Sequence, residues 1–352
     1  MDVKTRTQAY WTDRFTSQAS RYYKQGDKSL KELQSLFGKA SGEMDTKIQA
    51  FYAKYGTIQA SPVYKTLADG SKVVSGMSKK LVVSQSDAFK KLTKGTRLTA
   101  LEGQLKNIMK QLSVDQNDYM KVTLGNIATN AYYDTTFEIY KGYGVGTTFN
   151  LLNPSVVSQI IRNPVNGQAF STRVWNNRKA LANTVNQTIR TGITQGLSNN
   201  EMAKRIASFA KDPSGKKSAM RNALSVANRL VRTEVTNTYN QATLKGYEAT
   251  GFVEKYEYLA TLDDRTSDVC EDLDGRTFKL EEATVGLNYP PMHVNCRSTT
   301  VAHFDDSKEF MTRLARDVDS GKTFTVPATM NVTDYRKIYV DKTMTRASWD
   351  SK

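Results

Sequence analysis

Cysteine and histidine are scarce in this chain, with two of each among 352 residues. So low a cysteine count excludes a disulfide framework and reads as reduced, cytosolic usage. Proline (7) and tryptophan (3) are also sparse. No apolar run approaches the roughly 18 residues of a membrane span. The N-terminal residues Met1–Trp11 hold no apolar stretch of signal-peptide type. The sequence therefore predicts a chain made in the cytoplasm and soluble there, unless a particle carries it out. Negative charge is in short supply too: 35 Asp and Glu face 50 Lys and Arg, for a net charge of +15. That imbalance favours a polyanionic partner, most often nucleic acid. A positive face docking onto an acidic protein is the plainer alternative.

The scarce residues are not scattered. Cys270, Cys296 and His293 fall within the stretch from Asp263 to Arg297. Two thiols and an imidazole are acceptable zinc ligands. His293 and Cys296 form a His-x-x-Cys pair behind Pro290-Pro291, whose rigidity suits a fixed approach. A Cys-x-x-Cys partner would need cysteine at position 267, where Ser267 stands. Asp264, Asp268 or water could fill the fourth position. On the alternative reading Cys270 is a buried thiol and His293 hydrogen-bonds a backbone carbonyl. A third reading takes the carboxylates Asp263, Asp264, Asp268, Glu271, Asp272 and Asp274 as a hard-cation site of nuclease type. Metal-hydrolase, nucleophile-elbow and Walker motifs are all missing, so the expectation is a protein that is not an enzyme and has no cofactor, with zinc kept open.

Along the chain, helical spacing dominates the first part. It covers Tyr10 to Tyr23 and then Asp27 to Tyr55, with Leu33, Phe37, Met44, Ile48 and Tyr52 on one stripe. Gly56 to Ser86 is polar and reads as a loop or a loosely packed helix. Periodicity resumes from Leu98 to Leu112, and Ser113 or Asp115 is placed to cap a further helix towards Tyr140. The glycines of Lys141–Gly146 suit a hinge, and no strand or Gly-Lys-Ser ending makes them a phosphate cradle. Ser171 or Thr172 is read as the cap of a helix through Ile193, and Ser198 to Glu201 as a capping box. A long helix is expected from about Ser218 to Thr250, stopped by Gly251. Strands are expected at Val253–Ala260, Thr277–Leu280 and Thr299–Phe304. A helix around Thr333–Tyr339 sits in an otherwise polar tail.

The resulting class is α+β: a mainly helical N-terminal part, then a long helix on a short sheet with a loop-rich Cys/His insert. The expected divisions are 1–140 (helical), 141–165 (hinge), 166–305 (α/β module) and 306–352 (polar tail).

Two sets of side chains stand out on the long helix and the stretch just before it. Lys211, Lys216, Lys217, Arg221 and Arg229 form a basic run that can meet phosphates, or simply face solvent. Glu234, Asn237 and Gln241 share one face. With them, Arg232 and Glu234 are read as a clamp tying the helix to the loop of Asp263, Asp264 and Arg265, and Arg297 belongs to the same set.

In order and spacing, Arg232-Thr-Glu234, Gly246, Gly251, Asp264-Arg265-Thr266, Cys270, Leu273-Asp274-Gly275, Phe278 and Pro290-Pro291-x-His293-x-x-Cys296-Arg297-Ser298 resemble the phage head-morphogenesis (Mu F-like) family of minor head proteins. The resemblance covers about residues 160 to 305. It implies a virion component at the head interior or portal vertex, present in the host cytoplasm during assembly. The partners it implies are portal protein, major capsid or scaffold proteins, and double-stranded DNA contacted without sequence specificity, with no membrane. Some members carry a toxin domain behind the module, and the residues after 305 are too few for one. Ser267 departs from members with a fuller Cys-x-x-Cys pair.

Overall fold

A computed structural model describes residues 7–66, 72–82, 97–143, 152–165, 167–208, 218–304, 312–317, 320, 323–327 and 330–351. Helix α1 runs Gln8–Tyr55, and the strands β1 (Thr57–Thr66) and β2 (Lys72–Val82) follow. Then come α2 (Arg97–Tyr143), α3 (Pro154–Arg162), α4 (Phe170–Thr194), α5 (Asn199–Ile206) and α6 (Ala219–Thr250). The C-terminal part holds β3 (Lys255–Leu259), α7 (Asp268–Leu273), β4 (Thr277–Lys279) and β5 (Thr299–His303). It ends with β6 (Thr312–Arg316), β7 (Thr323–Pro327), α8 (Val332–Tyr335), a π-turn (Arg336–Val340) and α9 (Arg346–Asp350). The α+β class is as expected.

The chain forms two compact units, each gathered from separated stretches. One unit comprises Lys31–Asp118 and Ser171–Asn228. Its core is helical, and the apolar stripes explain it. Phe37, Met44 and Ile48 come from α1, Leu105, Met109 and Leu112 from α2, and Val185, Ile189 and Ile193 from α4. These recur every three or four residues, so each helix turns one continuous apolar face inward. The capping box opens α5: the Ser198 side chain accepts from the Glu201 N–H, and the Glu201 carboxylate accepts from the Ser198 N–H. Those bonds, the Ser198 backbone N–H first, hold the Glu201 carboxyl down at about 2.

The other unit comprises Met1–Leu30, Tyr119–Phe170 and Arg229–Lys352. Its sheet is antiparallel, ordered β4-β3-β5, with Tyr256 opposite Phe278 on one side and Ala302 on the other. Trp11 and Phe15 of α1, Ile139 of α2, and Leu244 and Tyr247 of α6 pack with Tyr256, Tyr289 and Val301. Gly251 ends α6 with φ of 67°, a left-handed conformation that favours glycine. Gly246 lets two helices meet. A Cβ there would lie 2.7 Å from Cγ2 of Thr135.

Four expectations change. The polar stretch after Gly56 is a β-hairpin, paired from Thr57/Val82 to Thr66/Lys72; its serines and lysines mask the two-residue alternation. Ser113 starts no helix. It sits inside α2, and its hydroxyl satisfies itself on the Met109 carbonyl at 2.8 Å. Ser171 and Thr172 are likewise inside α4, which begins at Phe170. The polar tail is in part core: Ala315, Val326, Met330, Val332, Tyr335 and Ile338 are buried together with Cys270 and Cys296. Of the glycine run, Lys141–Tyr143 finish α2, and residues 144–146 lie outside the described residues.

Gly246→Ala should lower the stability of this unit by about 1–3 kcal/mol through overpacking. Adding Thr135→Ser, which deletes the clashing Cγ2 and keeps the hydroxyl, should recover part of the loss. Thermal melts of the single and double variants check this.

Candidate functional site

The site begins with an amphipathic helix whose inner face is polar. Thr233, Glu234, Thr236, Asn237, Thr238 and Asn240 of α6 are all buried. Buried polar groups need partners, and the segment Asn295–Thr300 supplies many of them. The Thr233 hydroxyl accepts from the Asn295 N–H at 3.1 Å, and the Thr236 hydroxyl donates to the Cys296 carbonyl at 2.9 Å. Asn240 donates to the Ser298 carbonyl at 3.3 Å, and its side-chain oxygen accepts from Thr299 at 3.2 Å. Tyr23 donates to the same Ser298 carbonyl at 2.8 Å, and Tyr247 to the Thr300 carbonyl at 3.2 Å.

That docking fixes Cys296. Asn295, at φ of 62°, turns the chain in the left-handed region that asparagine tolerates. The Cys296 N–H then closes on the His293 carbonyl at 3.2 Å. Pro290-Pro291, joined by a cis bond, leads into this turn. From the other side, α7 presents Cys270. The sulfurs of Cys270 and Cys296 lie 3.8 Å apart, and Cys270 Sγ lies 3.3 Å from Nε2 of His293. Ser267 Oγ is 2.8 Å from the same Nε2. His293 Nδ1 lies 2.9 Å from the Val294 carbonyl, which suits an Nδ1–H tautomer with the Nε2 lone pair directed at the thiols. Tyr258 donates to Cys270 Sγ at 3.2 Å. The Cys296 thiol hydrogen-bonds Cys270 and lowers its pKa, while Cys296, holding the shared proton in a buried place, is pushed up. The group opens on a cleft lined by Thr261, Ser267, Asn295 and Arg297.

Three donors thus converge within 4.8 Å. Tetrahedral zinc, with bonds of about 2.3 Å to sulfur and 2.0–2.1 Å to nitrogen, sets its sulfurs about 3.8 Å apart and sulfur from nitrogen about 3.5 Å. The two spacings from Cys270, 3.8 Å to the Cys296 sulfur and 3.3 Å to Nε2 of His293, are close to that shape, and the Val294 carbonyl is the outer-shell acceptor such a histidine uses. No carboxylate joins the group among the described residues. Asp264 is exposed and lies 4.0 Å from Arg265. Asp268 is exposed as well. Glu271 pairs with Arg336 at 2.8 Å. Asp274 accepts from the backbone N–H groups of Ala260 and Val332.

Of the proposed clamp residues, Arg265 and Arg297 meet on Asp263, while Arg232 lies elsewhere. Arg297 chelates the buried Asp263, with one bond of 2.7 Å and a second from Nη1. The Arg265 N–H adds a bond of 2.9 Å to Asp263. Arg232, by contrast, is exposed and pairs with Asp27 of α1 at 3.2 Å rather than with the 263–265 loop. Glu234 is buried in α6. Of the basic run, Arg229 is exposed and Arg221 half-buried, while Lys211, Lys216 and Lys217 lie outside the described residues. Sequence reading missed Thr233, Thr236 and Asn240, although their spacing of three and four places them on one face. It also took Ser267 only as a missing cysteine, not as the partner of His293.

Residues 183–301 match the family described as phage Mu protein F like protein. This segment is similar to that family. The Mu F-like segment contains α6, β3, β4, the first part of β5 and all three soft donors. A curated relative, NAD(+)–arginine ADP-ribosyltransferase EFV of Enterococcus faecalis, is 27% identical over 235 residues, covering 63% of this chain. The chain spans about half of that protein's length, 46%. No solved structure matches the chain significantly.

Burial raises the Asp263 carboxyl, but the hydrogen bonds and charge of Arg297 outweigh it, and the net shift is downward. A depressed carboxyl stabilises the fold above its unfolded value, near 3.9, and that contribution is lost as pH falls through the folded value. Arg297→Ala strands a buried carboxylate and should cost about 2–4 kcal/mol at pH 7. The deficit should shrink as pH falls and the stranded Asp263 carboxyl of the folded variant, raised by burial without Arg297, takes up a proton; the unfolded-state titration is common to both proteins and cancels. Melts of both proteins across pH 3–7 read this directly.

Proposed function

We propose that this chain is a phage head-morphogenesis protein, a minor component of the virion that binds the portal and touches DNA without reading its sequence. The observation that carries the reading is the Mu F-like match over residues 183–301. The net charge of +15 supports contact with the phosphate backbone. No helix among the described residues is long and apolar enough to cross a membrane. On this reading the Cys/His cluster knits the module and performs no turnover. A nuclease built on the acidic loop gains little from the geometry, since Asp263, Glu271 and Asp274 are engaged in structural bonds. The transferase activity in the relative's name is that protein's own.

Purified protein should co-sediment with portal protein, and mass spectrometry should find the chain in procapsids and mature particles at low copy. Failure to co-sediment, together with absence from both particles, would overturn the assignment.

The sulfur spacing of 3.8 Å favours a second reading, in which Cys270, Cys296 and His293 hold one structural zinc ion. Bound zinc would cross-link α7 to the His293–Cys296 turn, with Ser267 or water in the fourth position. Elemental analysis should then find about one zinc per chain, and Cys296→Ala should lose it along with thermal stability. Zinc below about a tenth of an equivalent after purification in zinc-supplemented medium would refute this.

A further inference from the structure

The hairpin β1–β2 has no part in the site above. Its strands carry four lysines (Lys65, Lys72, Lys79, Lys80) and no carboxylate. Lys80 pairs with Glu201 at 3.2 Å. Lys65, Lys72 and Lys79 are exposed. So are Ile58 (71%), Tyr64 (57%), Val74 (58%) and Met77 (58%), among the most exposed large apolar side chains described. Cross-strand partners share a face of a hairpin. Met77 lies opposite Pro62, and Tyr64 opposite Val74 beyond a bulge, so apolar groups cluster on one face.

An exposed apolar ribbon is normally covered or blunted. Edge lysines oppose pairing with another copy, and a chain of charge +15 repels itself. The charge instead complements a polyanion. Two strands about 4.8 Å apart fit a DNA major groove about 12 Å wide, and apolar side chains meet base methyls and sugars there while lysines meet phosphates. We propose that the β1–β2 hairpin is the DNA-contacting element of this protein, a basic ribbon that lies in a groove of duplex DNA. This rests on the reading that the protein touches DNA, and it locates that contact away from the helical run at Arg221 and Arg229.

The test is titration of a 30-base-pair mixed-sequence duplex with the full chain at several salt concentrations. Wild type should bind at low salt, with affinity falling steeply as salt rises. Replacing Lys65, Lys72 and Lys79 by Gln should weaken binding at least tenfold at low salt. Their loss should also flatten the log–log salt slope by about 2–3, near 0.9 per lost phosphate contact. In wild type, bound duplex should shield the same three lysines from a small acylating reagent, read by mass spectrometry, which needs no variant to fold. An unchanged slope with equal acylation, in a wild type that binds DNA, would overturn the hairpin assignment alone. Loss of portal co-sedimentation in that variant with DNA binding intact would overturn it in favour of a protein-docking surface. A wild type that does not bind the duplex at all would remove the DNA reading itself.

Discussion

The polar face of α6 is the constraint on which the C-terminal module depends. Thr236 and Asn240 donate to the Cys296 and Ser298 carbonyls, and Tyr247 donates to that of Thr300. Those carbonyls are buried where water cannot serve them, and each left unsatisfied would cost about 1–3 kcal/mol. The helix therefore does more than cover a sheet. It fixes where the chain from Asn295 to Thr300 runs, and β5 starts from that placement. Because β3 pairs with β5 on one side and β4 on the other, the order of the whole sheet follows.

The same docking makes the cysteine cluster. Cys296 is held from behind by Thr236, and Cys270 reaches it from α7 across the apolar cluster that the C-terminal residues complete. The Asp263–Arg297 pair ties the loop before α7 to the turn after His293. Two independent links therefore join the same two loops, one through sulfur and imidazole, the other through a carboxylate and a guanidinium. A module tied this way suits a protein that must keep its shape inside a particle, which is the role proposed for it. The hairpin of the other unit is then the part of the protein proposed to meet DNA.

Much of this was legible in the residues. Apolar stripes at three- and four-residue spacing mark α1, α2 and α4, the capping box marks α5, and Gly251 marks the end of α6. The gathering of both cysteines and one histidine within a short stretch foretold their meeting. The hairpin was hidden because lysine and serine stand where strands usually show apolar alternation, and because its apolar face is not buried. Ser113 looked like a cap because a cap and a mid-helix serine bonding back four residues are the same residue type in the same polar setting. Arg232 looked like a partner for the acidic loop, but Asp27, some two hundred positions away, takes it.

The amino-acid sequence by itself determined most of the long helices, the charge, the soft-donor set and the family signature, because each rests on local spacing or on composition. Tertiary structure alone decided which carboxylate meets which arginine, that Thr233, Thr236 and Asn240 hold the Asn295–Thr300 segment, and that residues expected to be a polar tail complete the core around Cys270 and Cys296. Those outcomes depend on burial. A hydroxyl or a carboxylate is content in water, and only the loss of water when distant segments pack compels it to find one particular partner.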